Sequence, residues 1–261
     1  MNKIVNIIIA SALATTSLAH ADVYVHGRDP GNTRPRGFNQ DYSYWGTYAG
    51  SNFDGGAKYA FNWDGSSKVV TDTTVVNALY NGLATRANII RCHSAGCLIT
   101  ARMIQIYGTS KVGRVVAGSS AEGGSELANI SQPEPLTYDL QPGTARSFSH
   151  NSSVLTHHGG GSNCEPLGAG TWGSFFSAAV VSPTLPGEDD GAVAYHSTLG
   201  KAATGSYCDP DDWFCTDYGS ESGLGWSGSY WYGGNNYAGH VIRAADYVGH
   251  STARQYAARG W

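Results

Sequence analysis

The order of hydrophobic and polar positions along the chain predicts strands that alternate with helices. Asp22–His26 is a short apolar run typical of a first strand, and Lys58–Trp63 alternates as a strand does. Apolar residues return at helical spacing in Thr73–Thr85, and Ala87–Cys92 is again a β-type run. A second helical pattern begins near Leu98. This alternation predicts an α/β fold, with a mostly parallel central sheet and helices on both faces.

Further elements complete this pattern. The aromatic stretch Tyr42–Tyr48 predicts an early helix, and a closing helix is expected over His240–Arg259. We see no internal repeat and no linker that would divide the chain, so one domain is expected. Apolar runs predict three more strands, at Arg114–Ala117, Val154–His157 and Phe175–Val181.

The first 21 residues have the pattern of a signal peptide. Lys3 provides a positive start, Ile4–Ala14 is apolar, and Ala19-His20-Ala21 fits a cleavage site. Cleavage near Ala21 would leave a single domain, 22–261, in the periplasm or outside the cell. No later segment is long and apolar enough to predict a transmembrane helix.

Charge and cysteine content narrow the possible partners and compartment. The formal net charge is −4, with 16 Lys and Arg against 20 Asp and Glu. These charges are scattered, which argues against nucleic acid or an anionic membrane surface as a partner. Five cysteines in an exported chain predict at least one disulfide. Cys208 and Cys215 could close a local loop, whereas Cys92 and Cys97 are either bridged or two buried thiols.

The segment around Ser94 carries the clearest chemical pattern. His93-Ser94-Ala95-Gly96 stands between a predicted strand and a predicted helix, with small residues where the backbone must turn sharply. Such a turn presents a serine hydroxyl as a nucleophile. The N–H groups at the start of the helix could bind an oxyanion.

A nucleophilic serine needs a base and an acid that orients the base. Asp190 lies in a tight turn after a predicted strand, and His240 lies in a glycine-flanked loop before the predicted closing helix. If Asp190 only bonds its own turn, Asp189 or Glu188 would be the acid. Other histidines lie near these residues in the chain. His250 and His196 compete with His240 for the role of base, and His93 is expected to be a packing residue.

Five segments resemble the secreted bacterial lipases and esterases of the α/β-hydrolase superfamily, and they extend across nearly the whole mature chain. Two departures from the family pattern are Cys92, where glycine or alanine is usual, and Ser119-Ser120, where Thr-Pro is usual. The similar segments are Val25–Arg28, His93–Gly96, Gly118–Ala128, Asp190–Val193 with Ser197–Gly200, and Asn236–His240.

The resemblance implies an α/β-hydrolase fold and a serine mechanism without a cofactor. In this family pattern Ser94 is the nucleophile, Asp190 the acid and His240 the base. The backbone N–H groups of Arg28 and Ala95 would form the oxyanion hole.

Residues 201–235 form an insert rich in Tyr and Trp, which the Cys208–Cys215 loop would pin. We expect it to border the active site as an apolar acyl-binding wall, with Trp213, Trp226 and Trp231 as substrate-binding residues. The alternative is a loop packed on the surface. Carboxylates in this insert fit either a structural calcium ion or a solvated turn, and no other metal is expected. These carboxylates are Asp209, Asp211, Asp212 and Asp217.

Together these patterns predict a secreted hydrolase that cleaves carboxylic esters through an acyl-enzyme, with acylglycerols or other lipid esters as leading substrates. An acyltransferase with the same triad is the alternative enzyme, and a non-catalytic binding module is the alternative outside enzymes. The region Asn129–Tyr138, where many lipases carry a lid, contains Pro133 and Pro135, which argue against a lid helix. The sequence does not indicate an oligomeric state.

Overall fold

The computed structural model describes residues 21–49, 56–85, 87–131, 133–147, 155–161, 190, 192–193, 197, 229–232, 235–245 and 250–259. Several predictions concern residues outside these ranges. They are the leader before residue 21, the strand Phe175–Val181, and the Cys208–Cys215 loop with its acidic cluster.

The described strands form one sheet in the order β2-β3-β1-β4-β5-β6-β8-β7. Every neighbouring pair is parallel except β2 with β3 and β7 with β8, which are antiparallel pairs at the two edges. The prediction of a mostly parallel sheet is therefore confirmed. The strands are β1 Ala21–Val25, β2 Gly37–Asn39, β3 Ala57–Asn62, β4 Asn88–His93, β5 Val112–Gly118, β6 Leu155–Gly161, β7 Ser229–Tyr232 and β8 Asn235–Ala245.

Helices pack against both faces of this sheet. Helix α2 follows β4 directly and packs against α1, whereas α5 lies across β4, β5 and β6. The helices are α1 Thr74–Gly82, α2 Ala95–Tyr107, α3 Pro135–Leu140, α4 Pro142–Ala145 and α5 His250–Arg259, and short 3₁₀ helices occupy Ser43–Tyr48 and Glu126–Asn129.

Strand β1 shows how the two faces are built. Val23 and Val25 belong to the large core that the sheet shares with α1 and α2. Tyr24 points to the other face and packs with Trp45 and Ala257 under α5. Successive side chains of a strand point to opposite faces. A strand whose side chains are all buried, such as β1, therefore needs other elements packed on both faces of the sheet.

A buried ion pair fastens α5 to its face of the sheet. The guanidinium of Arg91 donates to the Asp22 carboxylate over 3.1 Å, and both side chains are almost completely buried. The same guanidinium lies 3.4 Å from the carbonyl of Ala257, near the end of α5. The Tyr24 hydroxyl reaches the neighbouring carbonyl of Ala258 over 3.5 Å. The last turn of α5 is thus held by polar groups of β1 and β4.

Two expectations about helices differ from the structure: where the closing helix begins, and whether a helix forms in the lid region Asn129–Tyr138. The chain over 235–245 is strand β8, and the closing helix begins ten residues later than predicted, at His250. Val241 and Ile242 are β-branched and favour a strand between two neighbours. In the lid region, α3 begins at Pro135, because proline is tolerated in the first turn of a helix.

Within the described ranges, no helix has the length and apolar character needed to cross a membrane.

Candidate active site

Ser94 occupies a strained turn at the carboxyl end of β4. Its φ of 53° and ψ of −127° lie in a region that side chains with a Cβ rarely adopt. Gly96 explains how α2 can start so abruptly. A Cβ at Gly96 would lie 2.2 Å from the carbonyl oxygen of Val25 and 2.6 Å from that of His26. The helix therefore approaches the end of β1 more closely than any side chain would permit.

Backbone hydrogen bonds hold this turn from three sides. The Ser94 N–H donates to the carbonyl of Gly118 over 3.1 Å, at the end of neighbouring strand β5. The Ser94 carbonyl accepts from Cys97 over 3.0 Å and from Ala121 over 3.1 Å. Ser94 is buried, with an exposed fraction of 8%. Its backbone is thus fixed where the strands end.

A disulfide joins Cys92 to Cys97 across the turn, with Cα atoms 4.9 Å apart. Both cysteines are fully buried. Of the two alternatives for this pair, the bridge is therefore the correct one. It links the end of β4 to the first turn of α2 and encloses Ser94.

Replacing both Cys92 and Cys97 with alanine is expected to lower the free energy of unfolding by about 2 kcal/mol, from the lost loop constraint. Urea unfolding at pH 7 measures the difference between this variant and wild type. A reducing agent should destabilise wild type more than the double variant, in which only the expected Cys208–Cys215 bridge could still be reduced. Equal sensitivity of both proteins to reductant would contradict a structural bridge at this position.

The loop after β1 passes directly over Ser94. A Cβ at Gly27 would lie 2.7 Å from the Cβ of Ser94 and 2.8 Å from the Tyr44 hydroxyl. The next residue, Arg28, has its guanidinium 2.7 Å from the carboxylate of Glu134. Ala95 is the first residue of α2, where N–H groups have no acceptor within the helix. Of the two predicted oxyanion donors, Ala95 follows Ser94 in the sequence, and Arg28 follows Gly27, which lies against Ser94.

His26 is a neutral structural residue of this loop. Its Nδ1 donates to the carbonyl of Gly27 over 2.8 Å, and its Nε2 accepts from the N–H of Trp63 over 3.1 Å. The indole N–H of Trp63 in turn donates to the carbonyl of His26 over 2.9 Å. Burial lowers the pKa of His26 from 6.5 to about 4.

We expect this depressed pKa to make the fold sensitive to mild acid. The unfolded chain binds a proton at His26 near pH 6.5, whereas the folded chain resists it down to about pH 4. The stability that the neutral residue contributes is complete above pH 6.5 and is lost as the pH falls towards 4, by about 3 kcal/mol.

Urea unfolding at pH 7, 5 and 4 measures this loss. The variant His26→Gln keeps an acceptor for Trp63 but does not titrate, so its stability should fall less over the same interval. A variant with the same pH dependence as wild type would contradict the role of His26.

The two carboxylate oxygens of Asp190 have different hydrogen-bond partners. One carboxylate oxygen, Oδ1, accepts from the N–H groups of Ala192 over 2.9 Å and Val193 over 2.8 Å. The other, Oδ2, lies 2.8 Å from Nδ1 of His250. Asp190 therefore binds its own turn and also faces a histidine. Asp189 and Glu188 lie outside the described residues.

Charge and hydrogen bonding keep Asp190 ionised. Its burial, with an exposed fraction of 1%, would by itself raise its pKa. The interaction with His250 and the hydrogen bond from the Val193 backbone outweigh burial and hold the pKa of this carboxyl below its ordinary value.

The histidine against Asp190 is His250, not the predicted His240. His250 is the first residue of α5, and its backbone N–H also donates to the carbonyl of Asp190 over 3.0 Å. His240 lies within β8, where its backbone is in register with Thr156 of β6. The expected glycine-flanked loop before a helix is thus absent at His240, and His250 starts the closing helix instead.

Three further residues of the site were not identified from the sequence. Ser119 follows β5 with a positive φ of 44° and is fully buried, beside the turn of Ser94. The hydroxyl of Ser125 donates to the carbonyl of Ala192 over 2.5 Å and so connects the segment after β5 to the turn that contains Asp190. The Tyr44 hydroxyl bonds to His93, which was expected only to pack. Tyr44 had no signal in the sequence besides its aromatic surroundings.

Some predicted site residues cannot be placed. Trp213 and Trp226 lie outside the described residues, and for Trp231 only the backbone, in β7, is described. Among the residues that are described, no group of three or more His, Cys, Asp or Glu is arranged to hold a metal ion.

The strand order and the strained serine turn between β4 and α2 are those of the α/β-hydrolase fold. Solved structures that share it include two bacterial lipases. The mature lipase BlEst2 from Bacillus licheniformis matches with a TM-score of 0.53 and 14% identity, over 91% of this chain and 87% of the lipase. Lipase 1 from Pelosinus fermentans matches with a TM-score of 0.54 and 13% identity, over 91% of this chain and 94% of the lipase.

No family model matches the chain, and no curated protein is similar to it in sequence. The identities to the two lipases are low, so the likeness shows the fold. What the site does must be argued from its own residues.

Proposed function

We propose that the chain is a serine ester hydrolase in which Ser94 is the nucleophile, His250 the base and Asp190 the acid. This proposal keeps two of the predicted catalytic residues and replaces His240 with His250. The fold similarity to two lipases agrees with this activity.

One observation carries the proposal, the buried contact of 2.8 Å between Asp190 Oδ2 and His250 Nδ1. A carboxylate only accepts hydrogen bonds, so the proton of neutral His250 lies on Nδ1. Its Nε2 therefore carries the lone pair that a general base needs. The turn of Ser94 and this pair lie at the same edge of the sheet, because the ring of His93, the residue before Ser94, lies 4.7 Å from the ring of His250.

In the proposed reaction, Ser94 Oγ attacks the ester carbonyl while His250 Nε2 takes the hydroxyl proton. Asp190 stabilises the imidazolium, which then gives the proton to the leaving alcohol. The backbone N–H groups of Arg28 and Ala95 bind the oxyanion, at about 3–4 kcal/mol of barrier per donor. Water repeats the sequence on the acyl-enzyme and releases the acid.

Acylglycerols or other lipid esters remain the proposed substrates, and the chain is proposed to act outside the cytoplasm. The Cys92–Cys97 bridge supports an oxidising compartment. Strand β1 begins at Ala21, the last residue of the proposed leader. A single domain over 22–261, with an acyl-binding wall formed by Trp213, Trp226 and Trp231, completes the proposal.

A fluorophosphonate probe tests the nucleophile directly. It should phosphonylate one serine of the folded protein and abolish the hydrolysis of p-nitrophenyl esters in proportion to labelling. After reduction and trypsin digestion, the label should lie on the peptide Cys92–Arg102 and not on Val115–Arg146, which contains Ser119. Protein unfolded in urea is the control and should not react.

The same assay over graded acyl chain lengths tests the substrate class. Faster hydrolysis of long chains supports a lipid ester, and faster hydrolysis of short chains contradicts it. Label on any peptide other than Cys92–Arg102 would overturn the assignment of Ser94. A folded protein that neither hydrolyses esters nor reacts with the probe would overturn the proposed function.

A further inference from the structure

A chain of two hydrogen bonds connects the residue before the nucleophile to the backbone of the proposed base. The hydroxyl of Tyr44 lies 2.6 Å from Nδ1 of His93. On the other side of the same ring, Nε2 of His93 lies 2.9 Å from the backbone carbonyl oxygen of His250. His93 has an exposed fraction of only 2%.

The chemistry of these partners fixes the direction of both bonds. A carbonyl oxygen only accepts, so Nε2 of His93 carries the hydrogen and donates it to His250. Nδ1 of the neutral ring is then an acceptor, and the Tyr44 hydroxyl donates to it. Both donors are used and no polar ring atom of His93 is left without a partner.

The surroundings keep His93 neutral and Tyr44 protonated. Burial, together with His250, Arg254 and His26, lowers the pKa of His93 well below its ordinary value. Burial also raises the pKa of Tyr44. The guanidinium carbons of Arg34 and Arg254 each lie 5.5 Å from the centroid of the Tyr44 ring, so two cations hold this ring in place.

Because of its position in the chain, His93 joins the turn of Ser94 to His250. Its backbone leads directly into Ser94, whereas its side chain holds His250. At its other end, the Tyr44 hydroxyl meets the loop that carries Gly27, which lies over the Cβ of Ser94. The link therefore touches the nucleophile turn, the base and the oxyanion loop.

We propose that Tyr44 and His93 are positioning residues that set the distance between the Ser94 hydroxyl and the imidazole of His250. This inference rests on the proposed function. His250 is held at three points: its N–H and Nδ1 bind Asp190, and its carbonyl binds His93. Two of these bonds fix the ring against the acid, and the third fixes the residue against the nucleophile. A base displaced by about 1 Å loses roughly 10²-fold in rate.

The variants His93→Leu, His93→Gln and Tyr44→Phe test this role through kcat, KM and the rate of fluorophosphonate labelling. We expect His93→Leu to lower kcat and the labelling rate about 10²-fold with little change in KM. His93→Gln places an amide N–H near the position of Nε2 and should recover most of this loss. Tyr44→Phe removes only the outer bond and should lower kcat about fivefold.

Tyr24→Phe is the matched control, because the hydroxyl of Tyr24 also contacts α5, but at Ala258 and far along the helix from His250. It should leave kcat unchanged. An equal loss in Tyr24→Phe and Tyr44→Phe would overturn the proposal, since both would then act through helix packing alone. So would a His93→Leu protein that keeps the wild-type kcat, or a His93→Gln protein no faster than His93→Leu.

Long-range ¹⁵N–¹H spectra of the wild-type imidazoles give a readout that does not depend on activity or on variants that fold. His93 should be the neutral Nε2–H tautomer at pH 6. The Nδ1–H tautomer, or a protonated ring, would overturn the link even if the enzyme is active. Conversely, the expected tautomer in a protein that hydrolyses no ester would overturn the proposed function and leave the link as a feature of the fold.

Discussion

Replacing His250 with alanine is expected to lower kcat/KM for ester hydrolysis by roughly 10⁴–10⁶-fold. Without this imidazole, Ser94 has no group to take its proton, and the buried carboxylate of Asp190 loses its partner. The measurement is hydrolysis of a p-nitrophenyl ester by purified protein. Circular dichroism confirms that the variant is folded.

The variant His240→Ala decides between the two histidines. Its backbone lies within β8, and we expect the folded variant to keep most of its activity. Loss of activity in folded His240→Ala with retention in His250→Ala would reinstate the sequence-based assignment and overturn ours. The two assignments predict opposite activities for the two variants, so the comparison distinguishes them.

Gly96→Ala is expected to cost at least about 3 kcal/mol of stability and to reduce activity in whatever protein still folds. The added methyl group would lie 2.2 Å from the carbonyl oxygen of Val25, and backbone atoms cannot turn aside as a side chain can. Relief requires α2 to move away from the end of β1. That movement would separate Ala95 and Ser94 from the oxyanion loop.

Gly143→Ala is the matched control for this substitution. Gly143 lies in helix α4, and a Cβ there would meet no atom within 4 Å. Alanine is a better helix former than glycine, so this variant should be as stable as wild type or slightly more stable. Thermal unfolding of both variants gives the comparison. Similar midpoints for Gly96→Ala and wild type would show that α2 does not pack as closely as described.

The sequence predicted the parts of the fold where a local pattern and its tertiary environment agree. Strand β4, the turn at Ser94 and helix α2 are such parts, because a buried parallel strand and an apolar helix each have a clear pattern. The turn that contains Asp190 was also located, since this residue caps its own turn with the same carboxylate that faces His250.

The error in placing the start of the closing helix at His240 has a physical origin. The residues Val241–Ala245 are apolar enough to continue a helix, and periodicity alone does not distinguish a short buried strand from a buried helix. Pairing with β7 and with β6, which lies some eighty residues earlier in the chain, makes this segment a strand. Gly249, directly before His250, was the local signal that a new element begins there.

The contacts that hold the site together were beyond the sequence for another reason. The bond between Tyr44 and His93 spans 49 positions, and that between His93 and His250 spans 157. No periodic pattern records such pairs. The Cys92–Cys97 bridge was an open alternative because spacing alone does not distinguish a bridge from two buried thiols.

Because of the way α5 is anchored, we expect activity to be lost before the protein as a whole unfolds. His250 begins this helix and, among the described residues, is held by hydrogen bonds to Asp190 and His93 alone, whereas Arg91 and Tyr24 hold its far end, and Gly118 contacts its middle at Ala253. If the first turn of α5 detaches, Asp190 loses its hydrogen-bond partner and Ser94 loses its proposed base while the sheet stays intact. Inactivation in mild denaturant is then a local opening with its own, smaller free energy. The amide hydrogens of the first turn of α5 should exchange sooner than those of β4 and β5. During storage, activity should therefore be lost before the melting curve changes.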